Sequence, residues 1–85
     1  METELEQKLI EDRASVALSQ LATRHNYKYS VRLTDEGYEI WLVAPEHRVE
    51  GRAIIRLASS GLFIKYIDYS LENGVLKIGV KAKSL

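Results

Sequence analysis

An asparagine–glycine pair, Asn73-Gly74, separates two segments rich in β-branched and aromatic residues. A type I′ turn needs positive φ at both central residues, and asparagine and glycine tolerate that conformation better than most residues. The sequence therefore predicts a β-hairpin whose strands run over about 62–71 and 75–82. A two-residue loop would pair Tyr69 with Ile78. In that register the apolar side chains share one face and the charged side chains share the other.

The first strand of this hairpin carries apolar side chains on both faces. Alternation places Leu62, Ile64 and Tyr66 on one face, while Phe63, Ile67 and Tyr69 lie on the other. Such a strand is typically central in its sheet and covered on both sides. A helix can supply one cover, and a chain of 85 residues offers no obvious second one. The first three residues are therefore candidates for contact with a partner.

The N-terminal part of the chain has helical periodicity. Apolar residues recur on one helical face, which predicts a helix over about 3–25 that packs on the sheet and stops at Asn26. The members of this face are Ile10, Ala14, Ala17, Leu18 and Leu21. Leu5, Leu9 and Val16 form a second line. Two interpretations remain for that line: it is the flank of one broad buried face, or it contacts another chain.

A second hairpin is predicted around the turn sequence Asp35-Glu36-Gly37. Apolar and polar side chains alternate over about 27–34 and again over about 37–44. The turn and the alternation agree on one register, in which Val31 lies opposite Ile40 and apolar residues meet apolar residues. This agreement makes the pairing well specified.

Trp41 lies on the polar face of this hairpin, where a tryptophan is unusual. Three interpretations remain. A loop or a chain terminus covers the ring, the ring anchors a protein contact, or it is a platform on which a nucleic-acid base stacks. Basic side chains on the polar faces of the two hairpins favour base stacking, whereas Glu39, Asp68 and Glu72 on the same side argue against it.

A further segment, about 52–58, contains Ile54, Ile55 and Leu57 and is interpreted as another strand. The chain is then α+β: an N-terminal α-helix packed on a four- to five-stranded antiparallel β-meander, in a single domain over 1–85. Elements in this order occur in several unrelated small domains, so the order implies no function.

Composition limits the chemistry and the setting of the chain. It has no cysteine, so neither a disulfide nor a thiolate metal site can form. Twelve basic and twelve acidic residues give a formal net charge of zero, which argues against a general nucleic-acid coat protein. No apolar run is long enough to cross a bilayer, and no targeting segment is recognisable. We therefore expect a cytoplasmic protein without membrane contact.

No group of residues has the pattern of a catalytic or cofactor site. The sequence contains neither a Gly-x-Ser-x-Gly elbow nor a glycine-rich phosphate loop. The two histidines, His25 and His47, are far apart in the chain. Glu46, His47 and Glu50 could hold an ion only loosely, because a metal site needs three or four convergent ligands. We expect no catalytic residue, metal or cofactor, and hence no enzyme.

These observations lead to two hypotheses. In the first, the chain is a small non-enzymatic protein-interaction module, a regulator or inhibitor that masks a partner surface, homodimeric and of the kind that viruses or mobile elements encode. Its partner interface would comprise Leu5, Leu9, Val16, Trp41, Leu62, Ile64 and Tyr66. The alternative is a single-stranded nucleic-acid-binding domain that uses one sheet face. Its contacts would be Lys28, Arg32, Trp41, Lys77 and Lys81.

Overall fold

In the computed structural model, which describes residues 2–43, 49–70 and 74–83, two helices pack on one face of a four-stranded antiparallel sheet. The elements are α1 (Glu2–His25), β1 (Lys28–Thr34), β2 (Gly37–Val43), α2 (Val49–Ser59), β3 (Leu62–Ser70) and β4 (Val75–Ala82). The strand order is β1-β2-β4-β3, so β4 inserts between β2 and β3 and interrupts a simple meander. The predicted class, α+β with an N-terminal helix on an antiparallel sheet, is confirmed.

The core lies between the helices and one side of the sheet, which we call the inner face. The five apolar residues predicted for the buried side of α1 are all in the core. They pack with Ala53 and Leu57 of α2 and with alternate residues of the strands. α1 ends before Asn26, whose φ of 55° is the left-handed stop expected from the sequence. Neither described helix combines the length and the apolar character needed to span a bilayer.

The segment predicted as a strand over 52–58 is instead the helix α2. Ala53 and Leu57, four residues apart, are both fully buried, whereas Ile55 between them is 67% exposed. A strand would have placed these three side chains on one face, so the observed burial has the period of a helix. A short apolar run does not by itself distinguish the two, which is why the prediction was wrong. Gly61, with a φ of 89°, follows the helix end.

The register of the first hairpin is as predicted, with Val31 opposite Ile40. The second hairpin is shifted by two residues, because Tyr69 pairs with Leu76 instead of Ile78. Asn73 of the predicted turn lies outside the described residues, and at the described end of the hairpin the backbone NH of Gly74 donates to the carbonyl oxygen of Ser70 over 2.8 Å. A shift of two residues leaves every side chain on the same face.

A β-bulge between Ile64 and Tyr66 changes the alternation of β3. On its N-terminal side Leu62 and Ile64 point to the inner face, and beyond it Ile67 and Tyr69 do so too. Leu62 and Ile64, two members of the predicted partner interface, therefore lie on the inner face, where Leu62 is fully buried and Ile64 packs against the core. Phe63, predicted on the same face as Ile67 and Tyr69, lies on the opposite side of the sheet and is 55% exposed. The extra residue of a bulge shifts the side-chain period, so strict alternation placed these three residues on the wrong side.

Candidate interaction surface

We call the side of the sheet opposite the two described helices the outer face. Its described side chains follow from the strand registers. They include Lys28, Ser30, Arg32, Glu39, Trp41, Val43, Phe63, Tyr66, Asp68, Lys77 and Lys81. Phe63 and Val43 are 55% and 48% exposed. The outer face is therefore an accessible surface of mixed polar and apolar character.

Trp41 lies at the centre of the outer face, on β2, which has a neighbouring strand on each side. Its side chain is half-buried by its neighbours. Its Nε1 donates a hydrogen bond to Oε1 of Glu39 over 3.1 Å. Two cations from the adjacent strands contact the ring: Cζ of Arg32 lies 4.0 Å from the ring centroid and Nζ of Lys77 lies 4.5 Å from it. The indole is thus held in place by side chains of its own sheet.

Glu39 joins Trp41 to a second aromatic residue. Its Oε2 accepts a hydrogen bond from the hydroxyl of Tyr66. This bond holds the pKa of Glu39 below its ordinary value despite partial desolvation, and the Trp41 NH and the charge of Lys77 act in the same direction. The same bond raises the pKa of Tyr66 to about 12. At neutral pH Glu39 is therefore ionised and Tyr66 is protonated. We call Glu39, Trp41 and Tyr66 the aromatic cluster.

Gly79 allows Tyr66 to reach Glu39. It lies between them on β4, paired with Glu39 on one side and with Tyr66 on the other. A Cβ at this position would lie 2.2 Å from Cε2 of Tyr66, so the tyrosine ring occupies the space where a side chain would be. An aromatic residue packed over a cross-strand glycine is a recurrent device that defines strand register.

The two predicted sets of contact residues fare differently. All five of the proposed nucleic-acid contacts lie on the outer face, as their alternation predicted. The proposed partner interface is divided. Trp41 and Tyr66 lie on the outer face, whereas Leu5 and Val16, which are 70% and 76% exposed, lie on α1. Leu9 is partly buried on the same helix.

Sequence reasoning missed the roles of Glu39 and Gly79. The carboxylate was counted only as a charge that opposes nucleic acid, although it connects the two aromatic rings. The glycine was not singled out. A glycine inside a strand pattern is nonetheless a recognised sign of close approach by another group, and β4 contains this one between Ile78 and Val80.

The described residues contain no group of three or more carboxylate or imidazole side chains able to hold a metal ion. The group predicted to bind an ion only loosely, Glu46, His47 and Glu50, lies outside the residues whose side chains are described. The outer face presents aromatic side chains, the hydrogen-bonded carboxylate of Glu39 and charges of both signs.

Comparisons with protein-family models, with curated proteins and with solved structures find no match to this chain. Its contacts and charges are therefore what bears on its function.

Proposed function

We propose that this protein is a small non-enzymatic interaction module that works as a homodimer and binds a protein partner through its outer face, as a regulator or inhibitor that masks the partner's surface. The observation that carries the proposal is the aromatic cluster. Trp41 and Tyr66 are fixed on one carboxylate, in the middle of a sheet face that the described helices leave open.

The residue types in and around the cluster are those that dominate binding energy at protein interfaces. Tryptophan, tyrosine and arginine are enriched among interface residues whose truncation weakens binding most. An aromatic ring that is already held in position loses little conformational freedom when a partner binds. Phe63 and Val43 extend the apolar area toward two ends of the face.

The charges on the outer face also suit a protein surface. Arg32 and Lys77 contact the indole, Glu39 accepts two hydrogen bonds, and Asp68 pairs directly across from Lys77. The face therefore presents cations and anions close together. Such a pattern selects a partner with a complementary pattern, whereas it weakens attraction to a uniformly charged polymer.

The test is affinity capture followed by measurement with the purified captured protein. We compare the wild type with Trp41→Ala and with Ile55→Ala, a matched truncation of a 67% exposed residue on α2. Calorimetric titration should show at least a tenfold weaker Kd for Trp41→Ala and an unchanged Kd for Ile55→Ala. Circular dichroism establishes that both variants are folded. Equal binding by all three proteins would contradict the proposal.

One observation favours a second candidate function, the binding of single-stranded nucleic acid. Lys28, Arg32, Lys77 and Lys81 all share the outer face with Trp41, and cations beside an aromatic ring are the usual features of single-strand binders. Trp41 is the only tryptophan, so its fluorescence reports directly on this face.

A fluorescently labelled 20-nucleotide single strand tests this second candidate by anisotropy. If four cations each contact one phosphate, affinity should fall about fiftyfold between 50 and 200 mM salt, and Trp41 fluorescence should be quenched on binding. Protein binding that survives nuclease treatment and high salt, together with no anisotropy change, would favour the interaction module instead.

A further inference from the structure

The two edges of the sheet differ. β3, at one edge, is interrupted by the bulge between Ile64 and Tyr66, whereas β1, at the other, pairs with β2 through seven consecutive residues without irregularity. No described strand pairs with the free edge of β1, the edge that faces away from β2. A regular, unpaired edge strand presents backbone NH and C=O groups that another strand can pair with, and bulges are a common protection against such pairing.

β1 also leaves apolar surface uncovered. Leu33 is 55% exposed, and Tyr29 and Val31 pack against the core but remain partly accessible. All three side chains lie on the inner face of β1. Because no described strand lies beyond β1, the sides of these residues that face away from β2 are not covered by another strand. A neighbouring strand with apolar residues at matching positions would cover them.

The sequence of β1 supplies those matching positions itself. If a second copy of β1 runs antiparallel with Val31 opposite Val31, then Tyr29 of each copy lies opposite Leu33 of the other. Apolar residues then meet apolar residues along the whole inner side. Cross-strand pairs of this kind are the basic stabilising contacts of a sheet.

The polar side of β1 fits the same register. Ser30 would lie opposite the second copy's Arg32, and Lys28 opposite its Thr34, so no two like charges face each other. The neighbouring registers that preserve the two faces are worse. Centred on Ser30, pairing sets Lys28 against Arg32, and centred on Arg32 it sets two arginines against each other. Like charges directly opposite are destabilising.

We propose that two copies of this chain associate through β1, antiparallel and centred on Val31, to form one continuous eight-stranded sheet. The inference rests on the homodimer of the proposed function and names its interface. Both outer faces then lie on the same side of the sheet. The two Trp41 residues would be about 16 Å apart, given a strand spacing of about 4.8 Å and a rise of about 3.3 Å per residue. A partner with two equivalent sites would thus be bound bivalently.

Charge substitutions at Ser30 test the register. Ser30 is exposed on the outer side, so changing it should leave the fold intact. Ser30→Lys places a cation opposite Arg32 twice per dimer and should weaken the dimer Kd about tenfold, whereas Ser30→Glu should tighten it several-fold. Ser70→Lys makes the same change on the other edge strand and should have no effect. Sedimentation equilibrium over a concentration series measures all four proteins.

A single introduced cysteine tests the two-fold axis. The chain has no cysteine, so Val31→Cys can form a disulfide only with a second copy. Antiparallel cross-strand Cα atoms are about 4.5–5.5 Å apart, within the range that a disulfide spans. Mild oxidation should convert Val31→Cys to a covalent dimer, while the control Ile67→Cys, on β3, should stay mostly uncross-linked.

The outcomes separate the two proposals. A dimer with the expected Ser30 effects and Val31→Cys cross-linking supports both. A dimer that ignores Ser30→Lys and does not cross-link at Val31→Cys overturns the β1 interface but leaves the homodimer standing. A wild-type protein that stays monomeric up to millimolar concentration overturns the interface and the homodimer together, while binding through the outer face is judged separately by Trp41→Ala.

Discussion

The two faces of the sheet use the same pair of strands in opposite ways. On the inner face Ile40 lies opposite Ile78, and both are fully buried. One residue further along, on the outer face, Trp41 lies opposite Lys77, and both are half-buried. The inner pair is held by removal of apolar surface from water, which has no direction. The outer pair is held by contacts that require particular atoms at particular distances.

The two faces therefore constrain the strand register to different degrees. The pattern of apolar residues on the inner face does not distinguish registers that differ by two residues, because such a shift keeps every side chain on the same face. The outer face is more demanding, since the aromatic cluster needs Gly79 opposite both Glu39 and Tyr66. We infer that burial at the inner face supplies most of the folding free energy, whereas the outer face depends on specific pairwise contacts.

The largest expected effect lies on the inner face. Ile78→Ala should lower the free energy of unfolding by about 3 kcal/mol, because it removes fully buried methyl and methylene groups and leaves a cavity. The neighbouring change on the outer face, Lys77→Ala, should lower it by no more than about 1 kcal/mol, the strength of an exposed cation–π contact. Urea denaturation followed by circular dichroism measures both. If both variants lost the same free energy of unfolding, the two faces would contribute equally to stability at these positions, contrary to the expectation.

The next effect tests whether the outer face has its own packing. Gly79→Ala should lower the free energy of unfolding by about 1–2 kcal/mol, because the new Cβ displaces the Tyr66 ring and breaks its bond to Glu39. In a Tyr66→Ala background the same change should be neutral or slightly stabilising, since alanine restricts the unfolded chain. A double-mutant cycle reports the coupling. Additive effects would show that the ring does not depend on the glycine.

A smaller effect of opposite sign is expected at Tyr27. This residue is 5% exposed, its hydroxyl has no hydrogen-bond partner among the described residues, and burial raises its pKa to about 12. Tyr27→Phe removes the unsatisfied hydroxyl and should raise the free energy of unfolding by about 1 kcal/mol. Thermal denaturation checks this, with Tyr29→Phe as a partly buried control. A lower Tm for Tyr27→Phe would mean that the hydroxyl does have a partner.

The smallest effect is the pH dependence of the aromatic cluster. Because the folded pKa of Glu39 lies below its ordinary 4.5, its contribution to stability is present above pH 4.5 and is lost as the pH falls through the folded pKa. The raised pKa of Tyr66 acts at the other end: its contribution is present below pH 10 and is lost as the pH rises toward about 12.

Comparing wild type with Tyr66→Phe isolates this pH dependence, because other titrating groups cancel in the difference. The stability difference between the two proteins should be constant from pH 5 to 8 and should shrink as the pH falls below 4.5 and through the folded pKa of Glu39. Urea midpoints at each pH provide the measurement. A difference that does not shrink on acidification would mean that the tyrosine does not stabilise the ionised carboxylate.

Part of the candidate site could be predicted from alternation alone. The side chains of β1, β2 and β4 lie on the faces expected for them, which is how the five basic and aromatic residues of the outer face were found together. Those three strands are regular, so each position follows from its neighbours. Tyr66 was grouped with Leu62 and Ile64 because strict alternation makes no allowance for the extra residue of a bulge.

Local pattern alone determined α1, its stop at Asn26 and the first hairpin, because each carries a periodic apolar face and a turn or stop signal at its end. Tertiary structure decided the rest. The apolar run of α2 suits a strand as well as a helix, and only packing of Ala53 and Leu57 against α1 and β3 selects the helix. Likewise, no local signal reports the two-residue register shift, which keeps each side chain on its face, or the bulge, which moves side chains to the opposite face. They are set by which arrangement buries Leu62 while Tyr66 lies over Gly79.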